Sequence, residues 1–348
     1  MVTKLFRRVL LGTLVGATLL VPGCRTERAA LGGKATDGAR PCVDRGRNAL
    51  WLQHGWLGHD SWFERYGKAD LTNQFRSVDR IRDLRTRVLE PLHVTDVFPH
   101  LAPTDRGGAI QPVDPEQARR FLRELAGIRV MPWVGGVQGK QVELSSPRWR
   151  RAFAESIRDL LIDYPELAGI HINIEPGPSG DPFYLATLDE VRAALPPGKT
   201  LSIAAFPPPT WWDPFSSVHW SEEYYREVAH RVDQVAVMMY DTGLSYPWVY
   251  RWLIASWTGD IIEWAAPTAV LLGLPAYEDR GMRNHDPDVE NLDHAIRGVR
   301  KGFADDGSLP QNYQGVAVYA EWELDAAEQE TFRREFLCAE STPGPQPG

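Results

Sequence analysis

The sequence is poor in cysteine, in positive charge and in long apolar runs, and each shortage narrows what the chain can be. Its 38 Lys and Arg are outnumbered by 46 Asp and Glu, for a formal net charge of −8 at pH 7. That balance argues against nucleic acid as a partner and suits an uncharged or cationic ligand better than a polyanion. The apolar run over residues 9–21 is too short to span a bilayer as a helix. His54 and His59 lack the spacing of zinc ligands on one helix face and no second cluster joins them, so neither a metal nor another cofactor is expected. The only cysteines are Cys24, Cys42 and Cys338.

What is present begins at the N-terminus. Lys4, Arg7 and Arg8 precede the apolar run, and Pro22-Gly23-Cys24 follows it. A basic stretch, a short apolar stretch and a small residue before the cut make an export signal, so residues 1–23 are expected to be removed. Val21-Pro22-Gly23-Cys24 resembles a bacterial lipobox. The resemblance implies that Cys24 is acylated, becomes the mature N-terminus and ties the protein to the cell envelope, on its periplasmic or cell-surface side, by lipid chains that do not span the membrane. Loss of the leader removes three basic residues and no acid, taking the formal charge from −8 to −11. Residues 24–47 read as a flexible tether and residues 341–348 as a Pro/Gly tail. Between them, 48–340 is one domain's worth of chain, expected to be monomeric. In an exported protein the remaining pair, Cys42 and Cys338 at the two ends of that domain, is expected to form a disulfide.

Strand-like and helix-like segments alternate through this domain. Strands are predicted at 49–53, 93–98, 129–134, 169–175, 200–206, 234–240, 269–274 and 314–319. Amphipathic stretches at 117–126, 148–163, 185–194, 222–232, 292–303 and 326–337 lie between them. Asp114-Pro115, Ser146-Pro147 and Asp181-Pro182 each place a capping residue before a proline suited to the first helical turn. Eight such units and no internal repeat predict an α/β fold, the (β/α)8 TIM barrel, with function at the C-terminal ends of the strands.

One of those ends is unusual. In Gly169-Ile170-His171-Ile172-Asn173-Ile174-Glu175 the isoleucines share one parity and the polar residues the other, so a strand sends His171, Asn173 and Glu175 to one face. Burying a carboxylate beside an amide and an imidazole is costly unless they are paired or used. Other strand ends supply Trp133, Tyr240, Asp241, Tyr277, Tyr319 and Trp322, and Trp211, Trp212 and Trp248 fall where loops are expected. Flat rings with a polar handle stack on sugar faces.

Several segments together resemble family 18 glycoside hydrolases, the chitinase and endo-β-N-acetylglucosaminidase superfamily. Residues 169–175 stand where that family has its Asp-Gly-x-Asp-x-Asp-x-Glu strand. Val134-Gly135-Gly136 is similar to its Ser-x-Gly-Gly, Met238-Met239-Tyr240-Asp241 to its Met-x-Tyr-Asp, and Gly273-Leu274-Pro275-Ala276-Tyr277 to its Gly-Leu-Pro-x-Tyr. Tyr319 and Trp322 compete for the place of its floor tryptophan. Ala168, His171 and Asn173 replace the three aspartates and only Glu175 survives, although Asn-x-Glu is similar to the pattern of family 85. The resemblance implies retaining, substrate-assisted hydrolysis of N-acetylglucosamine-containing oligo- or polysaccharides, with Glu175 as acid and base and with Asn173 and Tyr240 on the acetamide. It implies sugar contacts from Asp241, Trp322, Tyr319, Trp133, Trp212 and Tyr277, with His171 behind Asn173. A glycosidase acting on a non-acetylated sugar and a catalytically silent glycan-binding lipoprotein are the rival readings.

Overall fold

The structure, a computed structural model, describes residues 42–304 and 308–338. Cys24, the leader, most of the tether and the C-terminal tail lie outside them. Nine parallel strands run in the order β3-β2-β1-β9-β8-β7-β6-β5-β4. They are β1 (Asn48–Leu52), β2 (Val94–Pro99), β3 (Arg129–Val130), β4 (Trp133–Val137), β5 (Gly169–Glu175), β6 (Thr200–Ala205), β7 (Gln234–Met238), β8 (Ala269–Pro275) and β9 (Tyr313–Tyr319).

The two ends of that order, β3 and β4, are consecutive pieces of the one strand predicted at 129–134. Pro132, which has no N–H to give to a ladder, lies between them. The Met131 amide still donates to the Val97 carbonyl at 3.0 Å, and the His171 amide to the Pro132 carbonyl at 3.0 Å. The interrupted strand thus joins β2 to β5 and closes an eight-stave barrel, the fold expected.

A principal helix follows each stave: α1 (Val78–Leu84), α2 (Pro115–Glu124), α3 (Pro147–Asp163), α4 (Pro182–Ala194), α5 (Glu222–Ala229), α6 (Pro247–Trp264), α7 (Leu292–Gly302) and α8 (Ala326–Glu335). The predicted caps form. Asp114 accepts from the amides of Glu116 and Gln117, Ser146 from Trp149, and Asp181 from Phe183 and Tyr184. Helix α6 has no counterpart in the sequence reading. Tyr250, Leu253, Ile254, Trp257 and Ile261 are buried on it while Trp248 and Trp252 are exposed, so apolar residues surround its axis and no 3.6-residue stripe stands out. Trp248 therefore lies in a helix, not in a loop.

The main core fills the space between sheet and helices and takes Ile170, Ile172 and Ile174 from β5. A smaller cluster inside the barrel, with Trp51, Phe98, Met131, Ala236 and Leu271, supports the floor below the strand ends. The predicted tether ends earlier than expected. Val43 is 1% exposed within the core, and Arg45 donates to the Pro310 carbonyl at 2.7 Å. Cys42 and Cys338 are joined, with Cα atoms 5.4 Å apart.

Candidate active site

A cleft of about 420 Å³ opens at the C-terminal ends of the strands. Glu175, Asn173, Tyr240, Asp241, Tyr277, Tyr319, Trp133, Trp212 and Trp322 all line it. The sequence placed them on six separate segments, and the barrel brings them to one mouth.

β5 supplies the central pair. Asn173 Nδ2 donates to Glu175 Oε1 at 2.8 Å, which leaves Asn173 Oδ1 buried in the lining without a partner. Glu175, at the end of its strand, is open to the solvent of the cleft, yet the surrounding walls strip enough water from its carboxyl to raise its pKa. The Asp241 charge adds to the rise, and the Asn173 hydrogen bond opposes it. Gly135 is needed beside this pair: at φ +119° it passes so close to β5 that a Cβ would stand 2.1 Å from the Asn173 carbonyl oxygen.

Tyr319 occupies the middle of the floor. Its ring stacks on Tyr240 at 5.5 Å, lies edge-on to Tyr277 and Trp322 at 5.5 Å each, and approaches Trp51 at 5.8 Å. Of the two candidates for the floor position, Tyr319 has these central contacts, and Trp322 forms a wall. Burial, followed by the neighbouring Tyr319, Asp241 and Glu175, holds the Tyr240 hydroxyl protonated by pushing its pKa well up. Tyr240 is therefore a hydrogen-bond donor. Tyr277 donates to Asp241 Oδ1, fixing that carboxylate against the β8 side of the cleft. Trp133 turns an unpartnered, buried Nε1–H into the same space.

His171 departs from expectation. It is fully buried, is absent from the cleft wall and makes no hydrogen bond to Asn173. Trp51 Nε1, which can only donate, reaches His171 Nε2 at 3.2 Å, so Nδ1 carries the hydrogen and donates to Ser202 Oγ at 2.9 Å. Ser202 donates to Gln234 Oε1 at 2.7 Å. Burial pushes the His171 pKa down to about 3, so the ring stays neutral. It packs against Trp51 within the barrel, where its ring nitrogens are both paired, and it does not line the cleft.

Residues that the sequence reading missed complete the cleft, among them Trp51, Asp213, His219 and Trp257. Trp257 comes from the unrecognised α6 and has an unpartnered buried Nε1–H, and His219 Nδ1 stands 3.8 Å from Asp213 Oδ1. No local motif marks any of these. A third histidine, His100, packs at 3.6 Å between ring centroids on His54, which faces His59 at 3.2 Å, and burial holds all three rings neutral. Asp241, His285 and Glu290 form the one grouping among the described residues whose donor atoms, within 4.8 Å of one another, could share a metal ion.

Residues 96–334 match the sequence profile of glycosyl hydrolases family 18. The chain belongs to that family. Solved structures of the same fold include the spore cortex-lytic enzyme SleL of Bacillus cereus, at 13% identity and a TM-score of 0.54 over 87% of this chain and 76% of that one. A chitinase from Rhizomucor miehei is 14% identical with a TM-score of 0.52, covering 83% and 99%. A class V chitinase from Pseudomonas fluorescens Pf-5 is 14% identical with a TM-score of 0.51, covering 82% and 98%. No curated protein matches the sequence. As a family 18 member the chain is a glycoside hydrolase, and at this identity the neighbours speak for the fold alone.

Proposed function

We propose that this glycoside hydrolase cleaves β-linked N-acetylglucosamine-containing glycans at the cell envelope by a retaining, substrate-assisted route. The observation that carries the reading is the Asn173–Glu175 pair, a carboxyl of raised pKa hydrogen-bonded to an amide whose oxygen waits unpartnered in the cleft. In the first step the substrate's acetamide oxygen attacks the anomeric carbon as the glycosidic bond breaks, and Glu175 gives its proton to the departing oxygen. Asn173 Oδ1 accepts the acetamide N–H, and the protonated Tyr240 hydroxyl donates to the acetamide oxygen, holding it for in-line attack. In the second step water adds to the same carbon, Glu175 takes its proton, and the acetamide re-forms with retained configuration. Asp241, pinned by Tyr277, is engaged as a sugar-hydroxyl acceptor, consistent with a mechanism that needs no carboxylate nucleophile.

The test is product analysis with N-acetylglucosamine oligomers and peptidoglycan. Glu175→Gln is expected to lower hydrolysis of a substrate with a poor leaving group about 10²–10⁴-fold. A thiazoline mimic of the oxazoline intermediate is expected to inhibit. Full activity in Glu175→Gln places the acid elsewhere, and binding without cleavage of any oligomer supports the silent-lectin alternative. The lipobox-like Val21-Pro22-Gly23-Cys24 supports anchoring at the envelope. Cys24→Ser is then expected to lose lipid labelling, and a variant that still fractionates with membranes would end that part of the reading.

A further inference from the structure

We propose that Asp241, His285 and Glu290 form a binding site for one divalent transition-metal ion of the Zn²⁺ class, at the wall of the cleft between the β7 and β8 loops. The first argument is a tautomer. His285 Nε2 lies 3.1 Å from the Tyr277 carbonyl oxygen, which can only accept, so Nε2 carries a hydrogen, and once the ring gives up its other proton Nδ1 is a bare lone pair. The side chain has no exposed surface, and Nδ1 has no hydrogen-bond partner. It points at Asp241 Oδ1, 3.5 Å away, and Glu290 Oε2, 3.8 Å away. His285 and Glu290 are buried, Asp241 is half-buried and also accepts from the Tyr277 hydroxyl, and three acceptors facing one another there repel unless a cation sits between them.

The spacing favours a metal as that cation. N–H···O hydrogen bonds close to about 2.7–3.2 Å, shorter than either separation here. Two donors about 2.1 Å from a tetrahedral ion stand roughly 3.4 Å apart, close to the 3.5 Å and 3.8 Å that separate His285 Nδ1 from the two carboxylates, and all three donor atoms lie within 4.8 Å of one another. The supporting shell is also in place. Glu290 is wholly buried, and the Thr242 amide and hydroxyl hold it, the amide 3.1 Å from both oxygens and the hydroxyl 2.9 Å from Oε1. The Tyr277 carbonyl orients the imidazole from its far side, as a second-layer acceptor does for metal-bound histidine. Asp241 sits at φ +62°, a left-handed conformation that a non-glycine residue keeps only where its surroundings impose it. Among the described residues no Lys or Arg forms an ion pair with Asp241 or Glu290, so a divalent ion would neutralise the two carboxylates. One imidazole and two carboxylates suit Zn²⁺ or Mn²⁺ better than Ca²⁺, which takes six to eight oxygens.

A proton is the competing occupant. Burial lowers the His285 pKa, but the facing carboxylates of Asp241 and Glu290 outweigh it and lift the ring to about 9. Metal analysis of the mature full-length protein, followed by chelator stripping and calorimetric titration with Zn²⁺ alone, separates the two. About one equivalent of Zn²⁺ per chain and a thermal midpoint raised by added Zn²⁺ are expected. Losing an oriented outer-shell partner costs about 10–100-fold in metal affinity, so His285→Ala, which removes a ligand, should weaken binding by ~100-fold or more. Glu290→Gln, closer in shape and able to keep the Thr242 contacts, should weaken it likewise if His285→Ala does not fold. The visible spectrum of the Co²⁺ form should report a tetrahedral site that both variants lose. Absence of saturable Zn²⁺ uptake, or uptake that survives both substitutions, overturns the proposal and assigns the space to a proton. The metal site shares Asp241 with the proposed chemistry, but neither readout depends on hydrolytic activity, so failure of the metal site is distinguishable from failure of that chemistry.

Discussion

In the proposed mechanism Asn173 and Glu175 divide one task between an amide and a carboxyl. In the family pattern an aspartate stands at the position of Asn173, and the amide changes the electrostatics of the acid two residues on. With no second charge beside it, the Glu175 pKa is raised mainly by burial and, after that, by Asp241. In the proposed mechanism the working form is the protonated acid. The rate constant kcat/KM should therefore fall as pH rises through this raised value, and Glu175→Gln should lose that alkaline limb. Asn173→Asp offers a sharper test of the same electrostatics. A carboxylate replacing an amide already 2.8 Å from Oε1 makes a like-charged pair that holds one proton more tightly. The alkaline limb should move to higher pH, and an unmoved profile would show that Asn173 does not couple to Glu175.

At the level of elements, β5 works through its alternation. Its isoleucines join the outer core, and its polar residues form a column inside the barrel. The lower end of that column is structural. His171 passes a chain of hydrogen bonds from Trp51 through Ser202 to Gln234, whose Nε2 lies 3.3 Å from Asp96 Oδ1, with Arg129 closing on the same oxygen at 2.6 Å. Ser202→Ala leaves the His171 Nδ1–H and the Gln234 carbonyl oxygen without this buried partner. A destabilisation of about 1–3 kcal/mol is expected in denaturant titrations, because an unsatisfied buried polar group keeps its full desolvation cost. Trp51 also lines the cleft, so KM should rise more than kcat falls. The neighbouring α6 and α7 pack through glycine. A Cβ on Gly298 would stand 2.5 Å from the Ile254 Cβ, so a side chain there would push apart α7 and the helix that carries Trp257 to the cleft.

On the scale of the whole molecule, the Cys42–Cys338 bond ties the segment entering β1 to the segment leaving α8 across a sequence separation of 296. Closing so long a loop restricts the unfolded chain most, and loss of such a bond typically costs about 2–5 kcal/mol. Cys42→Ser should lower the thermal midpoint by roughly 3–8 °C with little change in kcat, since neither cysteine lines the cleft. A midpoint unchanged by the substitution, or by reductant, would mean that the bond adds no stability.

The sequence by itself determined the alternation of strands and helices, the capped helix starts and the inward face of β5, because these are local patterns with periods of two and 3.6 residues. It also marked Glu175, Asn173, Tyr240, Asp241 and Tyr277, since each sits at a strand end whose position in a barrel is fixed once the strands are counted. Tertiary structure decided the rest. His171 and Asn173 share a parity, and only the height of the barrel floor separates a core residue from one that faces the cleft. Trp257 was hidden because α6 is apolar around its whole circumference, and Pro132 broke a strand whose apolar pattern runs through it. Asp241 meets His285 and Glu290 through a loop that returns to the β7 end, a closure that no periodicity encodes. Residues far apart in sequence acquire their pKa, their pairing and their access to solvent only when the last strand closes the barrel.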